Sequence, residues 1–311
     1  MTPSLLAAGG SGLFDMLSHP FMRNALLAGT AIAAASGLVG YFVVLRSQVF
    51  SADALSHVAF TGALAALAFN VDARIGLFAA TVMVAVVIGL LGPHGRANDV
   101  VIGTVFTGVL GAGVLFLSIY TRSGSSTNSA ANVNVLFGSI FGLGRAQAYL
   151  AFAIGTLLCV AVIAIARPLL FASLDEAVAR ARGLPVQGLG IAFLVLVGVC
   201  AAEATQAVGA LLLVGLIAGP AGAARLLTNR PWVGLAAAGG IAVGAMWIGL
   251  VASYLDGSLP PSFSIMTVIA ASYLLAGAGP SVAGRVRRRR RPGAPGAAAP
   301  LAGRRAEPAA R

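Results

Sequence analysis

Apolar runs long enough to cross a lipid bilayer follow one another from residue 24 to residue 281, and they constrain this chain more than any other feature. A helix needs about 20 mainly apolar residues to span a hydrocarbon core of about 30 Å. The runs fall at 24–45, 57–70, 74–92, 99–121, 147–167, 187–206, 207–227, 232–254 and 263–281. They predict an all-α, polytopic membrane protein of about nine transmembrane helices. Only 9% of the 311 residues are charged, where soluble domains carry about a quarter. The run at 57–70 is too short to cross unaided. Short or broken membrane helices commonly mark a substrate path, because irregular backbone is tolerated only against protein or a water-filled cavity. The short apolar stretch 133–144, after the polar loop Ser123–Asn132, reads as a re-entrant or interfacial segment.

Flanking this domain, taken as 23–284, residues 1–22 read as an N-terminal interfacial segment with Phe14, Leu17 and Phe21 on one face. Residues 285–311 read as a basic, disordered cytoplasmic tail of Arg, Pro, Gly and Ala that cannot bury a core. No basic residue precedes Arg23, so a cleaved signal peptide is not indicated. Within the spans, Gly138/Gly142, Gly215/Gly219 and Gly240/Gly244 repeat at the spacing that lets membrane helices approach closely.

All 20 basic residues are Arg. Without Lys the chain has no phosphate-loop nucleotide site and no Schiff base. If ATP drives anything here, another polypeptide hydrolyses it. Of the formal +11, +8 belongs to the segment from Arg285 onward, with nine Arg and the single acid Glu307. A terminal cluster of this kind argues against nucleic-acid binding and suits contact with anionic lipid. Cys159 and Cys200 lie in apolar runs without CxxC spacing, which sets aside disulfides and thiolate metal sites. Arg285–Arg291 placed in the cytoplasm puts Arg46, Arg96, Arg225 and Arg230 inside too, with Arg74, Arg122 and Arg145 outside.

Asp53 and His57 stand out against this background. Four apart on a helix they are neighbours, and a carboxylate with an imidazole supplies two ligands that zinc, manganese or iron accepts. The competing reading is capping, with Ser51 as cap and Asp53 in the first turn. Capping leaves His57 unexplained. Glu203, near an outer helix end, is a further candidate ligand or gate. Asp99 and Asp256 read as capping or solvated groups, His19 and His94 as bland, and Pro220 as a kink. Residues 173–185 form one polar helix: Ser173 can cap it, Asp175 and Glu176 suit its first turn, Arg180 and Arg182 its last, and Gly183 with Pro185 stops it.

Several stretches resemble the permease subunit of the ABC importers for zinc, manganese and related metals, the ABC-3 family. They are Pro20–Gly29, Ser51–His57, Asp99–Gly103, Leu136–Ile140 and Val208–Ala221, in that order. Phe60-Thr61-Gly62 departs from the family's usual Leu-Pro-Gly. The resemblance implies a type II importer permease in the cell membrane, paired as a homodimer around a central path. It also implies cytoplasmic ATPase partners, an extracytoplasmic metal-binding protein and a transported divalent metal (zinc or manganese first, iron also open) in place of a resident cofactor. The 173–185 helix would then be the coupling helix, with Asp175, Glu176, Arg180 and Gly183 at the ATPase. A permease for a chelated metal (siderophore or haem) and a secondary carrier are the alternatives. A carrier predicts internal repeats and a mid-span coupling acid; a membrane enzyme predicts a nucleophile–base pair or a His-Glu-x-x-His cluster. Neither pattern is visible.

Overall fold

A computed structural model describes residues 16, 18–92, 98–123, 138, 140–210 and 213–289, and among them the secondary structure is helical. The elements are α1 (Pro20–Leu45), α2 (Val49–Ala68), α3 (Ala73–Leu91), α4 (Asp99–Ser123), a 3-10 turn (Ile140–Gly142), α5 (Arg145–Leu174), α6 (Glu176–Ala181), α7 (Val186–Val208), α8 (Leu213–Leu227), α9 (Pro231–Leu255) and α10 (Pro261–Arg289). Eight of these are long and apolar enough to cross a membrane; α8, with 15 residues, is apolar but short. The chain is therefore a multi-pass membrane protein.

Local chemistry sets the helix starts. α1, α9 and α10 each begin on a proline (Pro20, Pro231, Pro261), whose fixed φ and missing N–H suit a first helical position. Asp72 caps α3 by accepting the Arg74 N–H at 2.8 Å. The turn between α1 and α2 needs Ser47 at φ 55°.

α1 is the central post, packed against α5, α7, α8 and α9. Its small residues allow the approach: a Cβ on Gly37 would stand 2.5 Å from the Ala238 carbonyl oxygen of α9. A second group joins α2, α3 and α7, with α4 resting on α2. In the α2–α3 seam Gly62 and Gly76 face each other; a Cβ on Gly62 would lie 2.4 Å from the Gly76 oxygen.

Three expectations change. α2 starts at Val49 and runs 20 residues, so the second span is full length. Ser51, Asp53, Ser56 and His57 lower the hydropathy of its first turns, so the apolar run begins only at 57. The 207–227 run is broken after Val208 by Gly209, at φ 86°, leaving α8 as a short helix. α5 continues beyond the run at 147–167, through Pro168 to Leu174. Of the small-residue pairs, Gly215 and Gly219 do meet a neighbour, Met266 and Ile269 of α10, whereas Gly240 and Gly244 meet nothing within 4 Å.

Arg285–Arg289 continue α10. The remaining tail at 290–311, the interfacial residues Phe14 and Leu17, His94, Arg96, and 133–137 of the re-entrant stretch lie outside the described residues. Alternation of the helices puts Arg46, Arg180, Arg182, Arg225 and Arg230 at one end of the bundle. Arg23, Arg74, Arg122 and Arg145 are at the other, in agreement with the Arg bias.

Candidate functional site

Between Phe50 and Leu64, α2 is buried except at Phe50, Asp53, His57 and Phe60. Steps of three, four and three residues place those four on one helical stripe. An otherwise enclosed helix thus leaves one open line, and both its ionisable groups lie on it. His57 Nε2 is 3.9 Å from Asp53 Oδ1, with the side chains 24% and 40% exposed. That separation is too long for a hydrogen bond, so neither group uses up the other's lone pairs.

The helix start corrects the capping alternative. Ser51 does not cap; its hydroxyl donates to the Gln48 carbonyl at 2.7 Å within the first turn. No acid lies in that turn, and Asp53 sits one turn further in, where the helix dipole gives little. At a rise of about 1.5 Å per residue, Asp53 and His57 lie about 6 and 12 Å along α2 from its Arg46 end. Aromatic rings frame them. Phe106 of α4 packs 5.3 Å from His57, and Phe50 meets Phe106 edge-on at 6.3 Å. Sequence reasoning missed Phe106, because nothing in one chain's pattern says which face of α4 meets α2. Thr61, at the departure from Leu-Pro-Gly, donates to the Val109 carbonyl of α4 at 3.4 Å.

Glu203 is placed elsewhere. It is 2% exposed, and Arg74 reaches its two oxygens at 2.9 and 3.3 Å. Gln206 adds a hydrogen bond at 3.2 Å. Next to Glu203, Ala202 packs with Ala59, Ala63 and Leu77, where α2, α3 and α7 meet. A buried glutamate implies a counter-charge, but nothing in the sequence singles out Arg74, 129 positions away. Among the described residues no three of His, Cys, Asp and Glu come together as a metal site. Asp53 and His57 are thus a candidate pair and not a complete ligand set among the described residues.

At the Arg46 end of the bundle, α6 is a short knob between α5 and α7. Its cap is Asp175, which accepts the Val178 N–H at 3.0 Å, and not Ser173, whose hydroxyl donates to Leu169 inside α5. Glu176 and Arg180 pair at 2.7 Å. Gly183, at φ 78°, ends the turn in the left-handed region that favours glycine. Ala172, Ala179 and Val186 seat the knob on the bundle, while Leu174 and Val178 are left exposed. At the outer rim, Ser258 donates from its N–H and hydroxyl to Asp256, holding that carboxyl below the usual carboxylate range.

The sequence model of the ABC 3 transport family matches residues 18–279. A manganese transport system membrane protein (MntC) of Halalkalibacterium halodurans is 29% identical over 219 residues, 70% of this chain and 73% of that protein. The manganese import system permease protein ScaB of Streptococcus parasanguinis is 26% identical over 75% of this chain and 82% of its own. In structure the chain resembles PsaBC from Streptococcus pneumoniae, solved in complex with Fab. The TM-score is 0.74 with 24% identity, covering 86% of this chain and 94% of that one.

Proposed function

This chain belongs to the ABC 3 transport family, and from that premise we propose that it is the permease subunit of an ATP-driven importer of a divalent transition metal. Manganese ranks ahead of zinc and iron, because the relatives named above are manganese transport proteins. The reading rests on one observation: the single open stripe of α2 carries Asp53 and His57. Ionisable groups at membrane depth cost about 2.5–3.5 kcal/mol on insertion scales, and a passing cation is the return.

Two ligands per chain are few. A two-fold dimer presents the same patch from both copies, so two stripes facing each other supply two carboxylates and two imidazoles, a set that manganese, zinc or iron accepts. Because a path that holds its ion tightly does not conduct, the loose spacing of the pair suits transit over storage. Glu203, already engaged by Arg74 and Gln206, holds α3 against α7 in this account. The chain carries no nucleotide site of its own. Cytoplasmic ATPase subunits receive the α6 knob, with the exposed Leu174 and Val178 as its apolar contact and Asp175, Glu176, Arg180 and Gly183 fixing its shape. An extracytoplasmic binding protein delivers the metal to the opposite side of the cell membrane.

Uptake of radioactive manganese into proteoliposomes that hold the permease, its ATPase and the binding protein tests the path. Asp53→Ala and His57→Ala each abolish uptake, yet the protein still assembles with the ATPase. Normal uptake in both variants refutes the assignment. Coupling is tested separately by Gly183→Ala, which strains the end of the knob. ATP hydrolysis then continues while uptake falls severalfold; an unchanged ratio of ions moved to ATP consumed removes the docking role from α6.

A further inference from the structure

A cavity of about 220 Å³ lies between the starts of α1 and α5, lined by Arg23, Asn24, Leu27, Arg145, Ala148 and Tyr149. It is remote from the stripe of α2, and nothing in the transport account uses it. Two guanidiniums share it. Among the described residues no carboxylate pairs with either one. Arg145 lies over the Tyr149 ring at 5.9 Å, and the Asn24 amide is anchored on the Leu143 carbonyl at 3.3 Å. Gln147 takes the Gly144 N–H at 3.1 Å, but the next N–H groups of α5 point out of the helix start without an intrahelical acceptor. The 30-residue α5 therefore adds its positive end to two positive side chains. The sum is a concentrated positive field, with no carboxylate among the described residues in contact with either guanidinium.

The depth of the cavity says what kind of anion fits. Both helix starts belong to the outer end of the bundle, at the membrane boundary. Leu27 lies about 10 Å along α1 and Ala148 about 4 Å along α5, at about 1.5 Å per residue, so these two set apolar side chains beneath the polar rim. Beyond Tyr149, α5 turns Phe152, Leu157 and Val160 outward. A free anion or a soluble partner's carboxylate has no use for such a floor and wall. A phospholipid uses all of it: phosphate at the guanidiniums, glycerol beside the tyrosine, and an acyl chain along α5. Tyrosine is itself a residue of the headgroup level. A zwitterionic headgroup would bring a cation toward two arginines, so a net negative headgroup is preferred.

We propose that the cavity between Arg23 and Arg145 is a binding site for the phosphate of an anionic phospholipid in the outer leaflet. The test is the thermal stability of the purified full-length chain in detergent, titrated with phosphatidylglycerol, phosphatidylcholine or inorganic phosphate. Phosphatidylglycerol stabilises the wild-type protein saturably, and the other two do not. In Arg23→Gln/Arg145→Gln the half-saturating concentration rises roughly thirtyfold, from about 1 kcal/mol per Arg at about 1.4 kcal/mol per tenfold. Arg122→Gln, which removes an outer charge elsewhere, leaves it unchanged. Equal responses to all three additives overturn the proposal, as does an Arg122→Gln effect as large as that of the double variant. An acidic peptide that stabilises through the same two arginines while phosphatidylglycerol is inert assigns the cavity to a protein carboxylate instead. A double variant that unfolds without lipid is replaced by Arg23→Lys/Arg145→Lys, for which weakened but retained phosphatidylglycerol binding is expected and an unchanged half-saturation contradicts the site.

Discussion

The Arg74–Glu203 pair and the Asp53–His57 pair occupy the same bundle and differ in nearly every physical respect. Arg74 and Glu203 touch at 2.9 Å, with the glutamate 2% exposed and a third group, Gln206, completing its hydrogen bonds. Asp53 and His57 stand 3.9 Å apart and keep 40% and 24% of their side-chain surface open. The first pair joins α3 to α7 across 129 residues of sequence; the second joins a helix only to itself. A buried charge repays its desolvation when its geometry is complete. An open, incomplete pair repays nothing in the fold, so its return comes from what it meets. Under the proposed function, the contrast separates an acid that builds the bundle from an acid that serves the ion.

The largest effect expected on stability comes from splitting the buried pair. Arg74→Ala strands a buried carboxylate and costs about 3–5 kcal/mol in reversible unfolding. Glu203→Ala leaves a guanidinium that still reaches solvent and costs less. Replacing both by leucine recovers much of the loss. Equal and small costs for the two single variants erase the distinction drawn here. Asp53→Ala is the opposite case, losing under about 1 kcal/mol because its pair is exposed, although transport stops.

A smaller effect comes from the seam that carries the site. An alanine Cβ at Gly62 would lie 2.4 Å from the Gly76 oxygen, while one at Gly244 meets nothing within 4 Å. Gly62→Ala therefore destabilises by about 1–3 kcal/mol, as overpacking does, and tilts α2 with its two ligands. Gly244→Ala stays within about 0.5 kcal/mol. Thermal unfolding of the two variants side by side decides it; matched losses mean the seam is no tighter than the open face.

Much of this architecture is legible in the sequence, because in lipid a helix must be long, apolar and internally bonded. The runs marked the helices, the arginines marked the ends, and the Asp53/His57 spacing marked one stripe. What stayed hidden has local or long-range causes. The start of α2 was obscured by its own polar residues, since Ser51, Asp53, Ser56 and His57 dilute the signal that identifies a span. Ser173 and Asp175 are both good capping types, and only the continuation of α5 past Pro168 consumes Ser173 and leaves Asp175 as the cap. Small-x3-small spacing recurs on faces that pack and faces that do not, so Gly240/Gly244 and Gly215/Gly219 look alike until their neighbours are known. The partner of Glu203 and the ring beside His57 both lie on other helices, and no periodicity within one helix specifies them.

The most direct measurement of the central claim is the ligand set of the ion itself. Manganese trapped in the assembled complex is examined by pulsed electron paramagnetic resonance for coupling to imidazole nitrogen. The account predicts nitrogen coupling in the wild-type complex, its loss in His57→Ala and its survival in Glu203→Gln. Manganese held by oxygen alone, or nitrogen coupling that persists in His57→Ala, contradicts it.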